Sequence, residues 1–249
     1  DGTFEAGGFL QELSDQPGVL WGLFVLLATG VGVKAAVMPL HSWLPSAMVA
    51  PTPVSALLHA VAVVKAGAFG FVRVMGFVFG PVLLAEMGAA QVVAVFAAVT
   101  LTLGSILAIR MDHLKQRLAY STISHLSYIV LGTAILTPAA WVGALFHMVA
   151  HGITKITLFF CAGAIQAKAH KHYVSQLNGI GWQMPYTMTA FALASLGMAG
   201  LPPFMMFASK WFLGSGAVAA NMGPFLAVYI LSGVLNAAYL FPIVFRAFV

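Results

Sequence analysis

Apolar residues run along this chain in long blocks, broken by short clusters of glycine, proline or charge such as "FGP" at 79–81 and "IRMDHLKQR" at 109–117. Blocks of roughly 20 apolar residues are the length needed to cross a bilayer core of about 30 Å. In lipid every backbone polar group must be satisfied internally, so such blocks become helices. The pattern predicts seven spans, at about 18–38, 52–78, 83–109, 115–136, 138–165, 184–212 and 222–247. The longest connector, "AKAHKHYVSQLNGIGWQMP" at 167–185, reads as a surface or amphipathic segment.

Charge tests the count. With the acidic N-terminal loop outside, the inside segments collect Arg110, Lys115, Arg117, Lys168, Lys171 and Arg246. The outside segments keep Arg73 alone among basic residues and hold Asp1, Glu5, Glu12 and Asp15. That is the bias of the positive-inside rule, and a miscounted span would scramble it.

Composition then fixes the class. Hydrophobic residues are 61% and charged residues 7%, with a mean hydropathy of +0.98. Soluble domains carry about a quarter charged residues, so this chain lacks the polar surface to cover itself in water. The expected fold class is an all-α polytopic membrane protein, multi-pass in a cell (inner) membrane, with the lipid bilayer as its first partner. The net charge of +5 is too scattered, and too often inside apolar blocks, for nucleic acid. Cys161, the only cysteine, excludes an internal disulfide and a Cys-rich metal site. The start lacks a Met and a signal-peptide pattern, and the end stops in "FPIVFRAFV". Residues 1–249 therefore read as a single transmembrane domain, a piece of a longer chain cut at both ends.

A charge at the centre of a span costs roughly 2.5–3.5 kcal/mol on insertion scales, yet Lys34, Lys65, Lys155 and Lys210 all sit in apolar blocks. Lys34 and Lys210 lie toward block ends, where a lysine can snorkel to the headgroups. Lys65 and Lys155 lie well inside. No carboxylate lies deep in any span. Burial disfavours the charged form of a lysine, so each lysine is a candidate proton relay, unless partner carboxylates lie elsewhere in the full chain or in another subunit. Histidines extend the pattern. His147, His151 and Lys155 follow i, i+4, i+8 and share one helix face, His59 shares a span with Lys65, and Ser121, His125 and Tyr128 line one side of the fourth span. Such stripes can guide a water chain, since histidine titrates near neutrality. The competing readings are polar groups that merely bond neighbouring helices, or zinc on His147 and His151. No carboxylate or cysteine completes a zinc set, and no metal or cofactor is expected.

Two spans carry breakers. "GVGVKAAVMPLHSWLP" has Gly30, Gly32, Lys34 and Pro39, and "LGMAGLPPFMMFASKWFLG" has Gly197, Gly200, Pro202, Pro203 and Lys210. Proline removes a helix donor and disfavours helix before it. Paired breaks of this kind in two halves of a chain point to a transport site; ordinary proline kinks are the bland alternative.

"KAAVMPLHSWLPSAMVAPTPVSALLHAVAVVKAG", "HLKQRLAYSTISHLSYI", "ALFHMVAHGITKITLFFCAGA" and "AGLPPFMMFASKW" together resemble the proton-translocating antiporter-like family. That family comprises large membrane subunits of respiratory complex I, of related membrane hydrogenases and of Mrp-type cation/proton antiporters. The resemblance implies about fourteen spans in the full protein and two inverted five-helix repeats. Residues 18–78 would end the first repeat and 83–247 would form the second. It implies a relay of Lys34, Lys65 with His59, the helix of His147, His151 and Lys155, and Lys210. It pairs Lys34 with a glutamate two spans upstream of this chain. "FASKWF" departs from complex I members, in which an acidic residue often follows the lysine. Lys115 reads here as a charge at the cytoplasmic edge.

The function expected from these readings is a proton-translocating subunit, exchanging Na⁺ in the antiporter case, of a multisubunit respiratory or Mrp-type complex. It would have no chemistry of its own, acting as a translocase subunit of an NADH:quinone oxidoreductase-like or hydrogenase complex, among other membrane subunits. A non-pumping structural subunit of a redox complex is the alternative.

Overall fold

The structure, a computed structural model, describes residue 10 and residues 15–58 and 62–249. Among these residues it is helical throughout, with one isolated antiparallel bridge between His113 and Tyr173. In chain order the helices are α1 Pro17–Ala35, α2 Trp43–Ser46, α3 Thr52–Ala56, α4 Val63–Arg73, α5 Pro81–Glu86, α6 Ala89–Arg110, α7 Leu114–Ala134, α8 Pro138–Ala169, α9 Ile180–Gln183, α10 Pro185–Ala199, α11 Met205–Ala219 and α12 Gly223–Phe248. Proline stands in the first turn of α1, α8, α10 and α12, where its missing N–H loses no helix bond. The Thr137 hydroxyl also caps α8, accepting from the amide of Ala140 at 3.4 Å.

Four helices, α1, α6, α8 and α12, are long and apolar enough to cross a membrane. Their exposed flanks are apolar, with Leu26, Phe96, Val149, Phe160 and Val234 among the residues turned outward, as a lipid-facing surface requires. The remaining predicted spans take other forms. The segment 52–78 is divided into α3, α4 and a π-helical turn at Val74–Val78. The segment 184–212 is divided at residues 200–204 between α10 and α11.

The fourth predicted span is the unbroken helix α7, but it is too polar to rank with the four. Its setting explains why. All of its residues except Gln116 and Tyr120 are buried, so its serines and histidine face protein, not lipid. It packs against α4, α6 and α8 and forms the axis around which the site is built.

One end of the bundle gathers the basic residues. His172 O accepts from the Leu114 amide at 2.9 Å, Asp112 O from Val174 at 2.8 Å, and Arg246 O from Gly179 at 3.2 Å. The starts and ends of α6, α7, α8 and α12 that carry Arg110, Lys115, Arg117, Lys168 and Arg246 therefore meet there. The connector expected on the surface is partly packed, with Val174, Leu177 and Ile180 buried. Lys115 also departs from expectation. It stands at the basic end of the bundle, but it is buried there, at 7% exposure, with its ammonium on the carbonyl of Ala50 at 3.0 Å. Arg117, 8% exposed, is likewise held by the carbonyls of Met111 (2.7 Å), Tyr239 (3.2 Å) and Ile109 (3.4 Å).

Candidate proton-relay site

The polar residues of α4, α7, α8, α11 and α12 converge inside the bundle. Lys155 and His151 and His147, on one face of α8, are fully buried, as are Ser121, His125 and Tyr128 on α7. Their regular spacing on two packed helices brings both stripes into register. Lys155 Nζ donates to Ser121 Oγ at 2.6 Å, and the Tyr239 hydroxyl donates to the same oxygen at 2.9 Å. His125 Nδ1 and His147 Nε2 lie 3.1 Å apart, and His147 Nδ1 is 2.9 Å from Ser209 Oγ on α11. Lys65, 8% exposed, reaches from α4 to donate to the carbonyl of Met148.

Asn236 of α12 closes the set. Its amide orientation follows from its neighbours. With Nδ2 toward the Tyr239 hydroxyl (2.7 Å) and Ser232 O (3.2 Å), Oδ1 accepts from Lys210 Nζ at 3.2 Å and from His125 Nε2 at 3.1 Å. One amide therefore joins the Lys155–Ser121–Tyr239 arm to Lys210 and the histidines. Lys210 has two further acceptors, the carbonyls of Met198 (2.8 Å) and Ala199 (2.9 Å) at the end of α10, and lies 5.5 Å from the Tyr128 ring centroid. The C-terminal carbonyls of a helix carry partial negative charge, so the break in the sixth predicted span gives this cation a counter-charge without a carboxylate. Gly200 makes the approach feasible. Its φ is +90°, and a Cβ there would sit 2.7 Å from Lys210 Cδ.

The rings of His151, His125, Tyr128 and Tyr229 form a near-parallel ladder with successive centroids 5.2–5.3 Å apart, and His147 stacks beside it, 4.9 Å from Tyr128. Neither ring nitrogen of His151, nor the Tyr229 hydroxyl, has a hydrogen-bond partner among the described residues. Among those residues no group of three or more His, Cys, Asp or Glu is arranged to hold a metal ion.

The structure thus brings together Lys65, Ser121, His125, Tyr128, His147, His151, Lys155 and Lys210. Lys34 stands apart. It is exposed on the last turn of α1 and has no partner among the described residues. His59 lies outside the described residues. Pro39 follows the end of α1, while Pro202 and Pro203 occupy the gap between α10 and α11. Residues not foreseen from sequence are Ser209, Tyr229, Asn236 and Tyr239. The last three had a visible signal with Ser232: in "YILSGVLNAAY" Tyr229, Ser232, Asn236 and Tyr239 lie at i, i+3, i+7 and i+10, one face of a helix. At the basic end, outside the spans, the His113 imidazole is held below its ordinary pKa by desolvation, with His172 and Lys115 adding repulsion against the attraction of Asp112.

Residues 7–236 match the family described as NADH:quinone oxidoreductase/Mrp antiporter, TM. The chain is 40% identical over 243 residues to NADH-quinone oxidoreductase subunit N of Desulforudis audaxviator, covering 96% of this chain and 47% of that protein. It is 40% identical over 200 residues to a probable K⁺/H⁺ antiporter component of Rhizobium meliloti, covering 80% of this chain and 20% of that one. This chain therefore spans about half the length, or less, of these curated relatives. Its fold is similar to a chain of the Mrp complex from Dietzia sp. (TM-score 0.87, 24% identity, 95% of this chain and 43% of that one). It is also similar to a chain of respiratory complex I from Thermus thermophilus with bound NADH (TM-score 0.81, 26% identity, 91% and 48%). With the profile matching most of its length and a relative 40% identical across nearly all of it, the chain belongs to the transmembrane family of NADH:quinone oxidoreductases and Mrp antiporters.

Proposed function

We propose that this chain is the proton-conducting part of a membrane subunit in a multisubunit respiratory or Mrp-type complex. Residues 18–78 would end its first helix repeat and 83–247 form its second. The observation that carries the reading is the buried network from Lys155 through Ser121, Tyr239 and Asn236 to Lys210 and His125. It holds several cationic or ionisable groups and no carboxylate. A purely structural role gives little reason to assemble this in lipid, where polar groups are expensive and mark function.

The side chains divide into two roles. The hydroxyls of Ser121 and Tyr239 each accept and donate, so they can pass a proton from Lys155, and His125, His147 and Ser209 can do the same in series. The Asn236 amide cannot carry a proton at neutral pH. It orients Lys210 and His125 so that a charge leaving one meets an acceptor already placed for the other. Water would complete the steps at Lys65 and at His151, whose nitrogens have no described protein partner. Lys34 would join through a glutamate beyond this chain. A counter-moving cation such as Na⁺ would compete with Lys210 for the carbonyls of Met198 and Ala199, since Na⁺ is a hard cation bound by oxygen. Redox-driven pumping makes flux independent of that ion.

The test is Lys65→Ala and Lys210→Ala in the full-length protein within its assembled complex, with proton flux measured in vesicles. The proposal expects both variants to assemble and to lose most of the flux. Assembly with unchanged flux overturns it and leaves the non-pumping, structural role standing.

A further inference from the structure

A cavity of about 550 Å³ opens between α3 and the C-terminal part of α8, away from the relay. Its walls are apolar, formed by Pro51, Pro53, Phe160, Gly163 and Ala164, and its polar end is formed by His170 and His172. Phe160 is 53% exposed on the apolar outward flank of α8, so the cavity opens on an apolar face at one side and on the basic end at the other. Gln166 also lines it. Its Oε1 accepts from Thr52 Oγ1 at 3.1 Å, which leaves its amide nitrogen a donor without a protein partner among the described residues.

The charge near this cavity is mostly positive. Lys168 is in the last turn of α8, and Lys171 lies between the two histidines. Lys115 places its ammonium on the carbonyl of Ala50, directly beside wall residue Pro51. The nearby carboxylate, Asp112, is already engaged by the amide (3.0 Å) and hydroxyl (2.7 Å) of Ser175. An apolar slot on the flank of α8 that ends in imidazoles and an amide donor, with Lys168 and Lys171 next to those histidines along the chain, is complementary to a molecule with an acyl chain and a phosphodiester. Basic pockets between spans on the positively charged side of a membrane protein bind such headgroups.

We propose that this cavity is a binding site for one anionic phospholipid. Its acyl chain would lie along Phe160, Gly163 and Ala164. Its phosphate would be held by His170, His172 and Gln166, with Lys168 and Lys171 closing over it. The site is independent of the relay, and its failure would leave the proton reading untouched.

The experiment uses the full-length protein in its complex, delipidated in detergent and re-exposed to vesicles of phosphatidylglycerol or of phosphatidylcholine. Retained lipid is then counted by native mass spectrometry. Phosphatidylglycerol retention is expected, with about a fivefold weaker hold for each lysine neutralised near the headgroup, in Lys168→Gln and in Lys171→Gln, and a weaker hold also in the His170→Gln/His172→Gln pair, which removes the imidazoles from the polar end of the cavity. All four side chains are exposed or half-buried, so these variants should fold. Ala164→Trp, which fills the apolar slot with the charges intact, is expected to lose the lipid as well. Equal retention of phosphatidylcholine, or retention unchanged in the charge variants, overturns the proposal. So does displacement of the lipid by millimolar inorganic phosphate alone, because that outcome makes the site an anion site without an acyl chain.

Discussion

The two breaks in this molecule are written in nearly the same letters and are built differently. Each joins glycines, a lysine, prolines and a tryptophan. At the first, α1 ends in a left-handed Ala36 (φ 54°), and the amides of Ala36 and Val37 fold back onto Val33 O and Gly32 O. The indole of Trp43 donates to the carbonyl of Val33 at 2.8 Å, and Thr100 Oγ1 accepts from the amide of Met38 at 3.0 Å. Neutral groups thus satisfy what the break frees, and Lys34 is left on the outside. At the second break the lysine itself satisfies the freed carbonyls. A helix end in lipid must find partners for its last carbonyls. Whether those partners are neutral or charged decides whether the break is a joint or part of a charge pathway.

Gly200→Ala should break the second arrangement most severely. An L-residue in left-handed geometry costs roughly 1–2 kcal/mol, and the new methyl would displace the Lys210 stem, forfeiting hydrogen bonds from a charged donor worth about 1.5–3 kcal/mol each. The expected outcome is a fall of roughly 10 °C in apparent Tm with loss of proton flux, read by thermal unfolding in detergent and by vesicle assay. Unchanged flux in a folded variant would mean that the lysine does not need the carbonyls, and the contrast between the breaks would fail.

Asn236→Leu probes the same arrangement one step away. It leaves both Lys210 and His125 short of an acceptor, a cost of about 1–3 kcal/mol. The complex should still assemble, with flux lowered at least tenfold. Asn236→Asp separates position from charge: it keeps the acceptor for Lys210 and His125, loses the donor to Ser232 O, and sets a carboxylate 3.2 Å from Lys210 Nζ in the parent geometry. Such a pair favours the protonated lysine, so the complex should still assemble while flux stays low. Recovery of full flux would reduce Asn236 to a mere acceptor.

Much of this was legible in the sequence, for physical reasons. The apolar blocks exposed the helical membrane fold because lipid admits little else, and the stripes of α7 and α8 exposed one wall of the site because helical spacing is fixed by geometry. The other wall was hidden. Asn236 and Tyr239 sit in a span whose long apolar face dominates its pattern, and a lone amide there reads as a helix-to-helix contact until its distances to Lys210 and His125 are known. Lys115 reads as an edge charge because it lies beside a loop, and its burial at that edge is not visible in the sequence. Only the fold shows that the Ala50 carbonyl lies within its reach. Which lysine of two similar breaks turns inward likewise depends on which neighbours supply donors, here Trp43 and Thr100. Thr100 stands far from Lys34 along the chain, and the motif that contains Trp43 does not show which carbonyl its indole meets.

The smallest effect has the opposite sign and belongs to the first break. Ala36 holds the left-handed position that Gly200 holds at the second, but without glycine's freedom. Ala36→Gly relieves the steric cost of that geometry while adding entropy to the unfolded chain, so the net gain should be about 0.5–1 kcal/mol, or a rise of roughly 1–4 °C in apparent Tm. Flux should not change, because none of the relay's hydrogen bonds involves Ala36. The same exchange between alanine and glycine, made in opposite directions at the two breaks, thereby separates backbone strain from placement of the cation. A flux defect in Ala36→Gly would show that the first break also transmits charge or motion, and that Lys34 depends on the rigidity of its helix end.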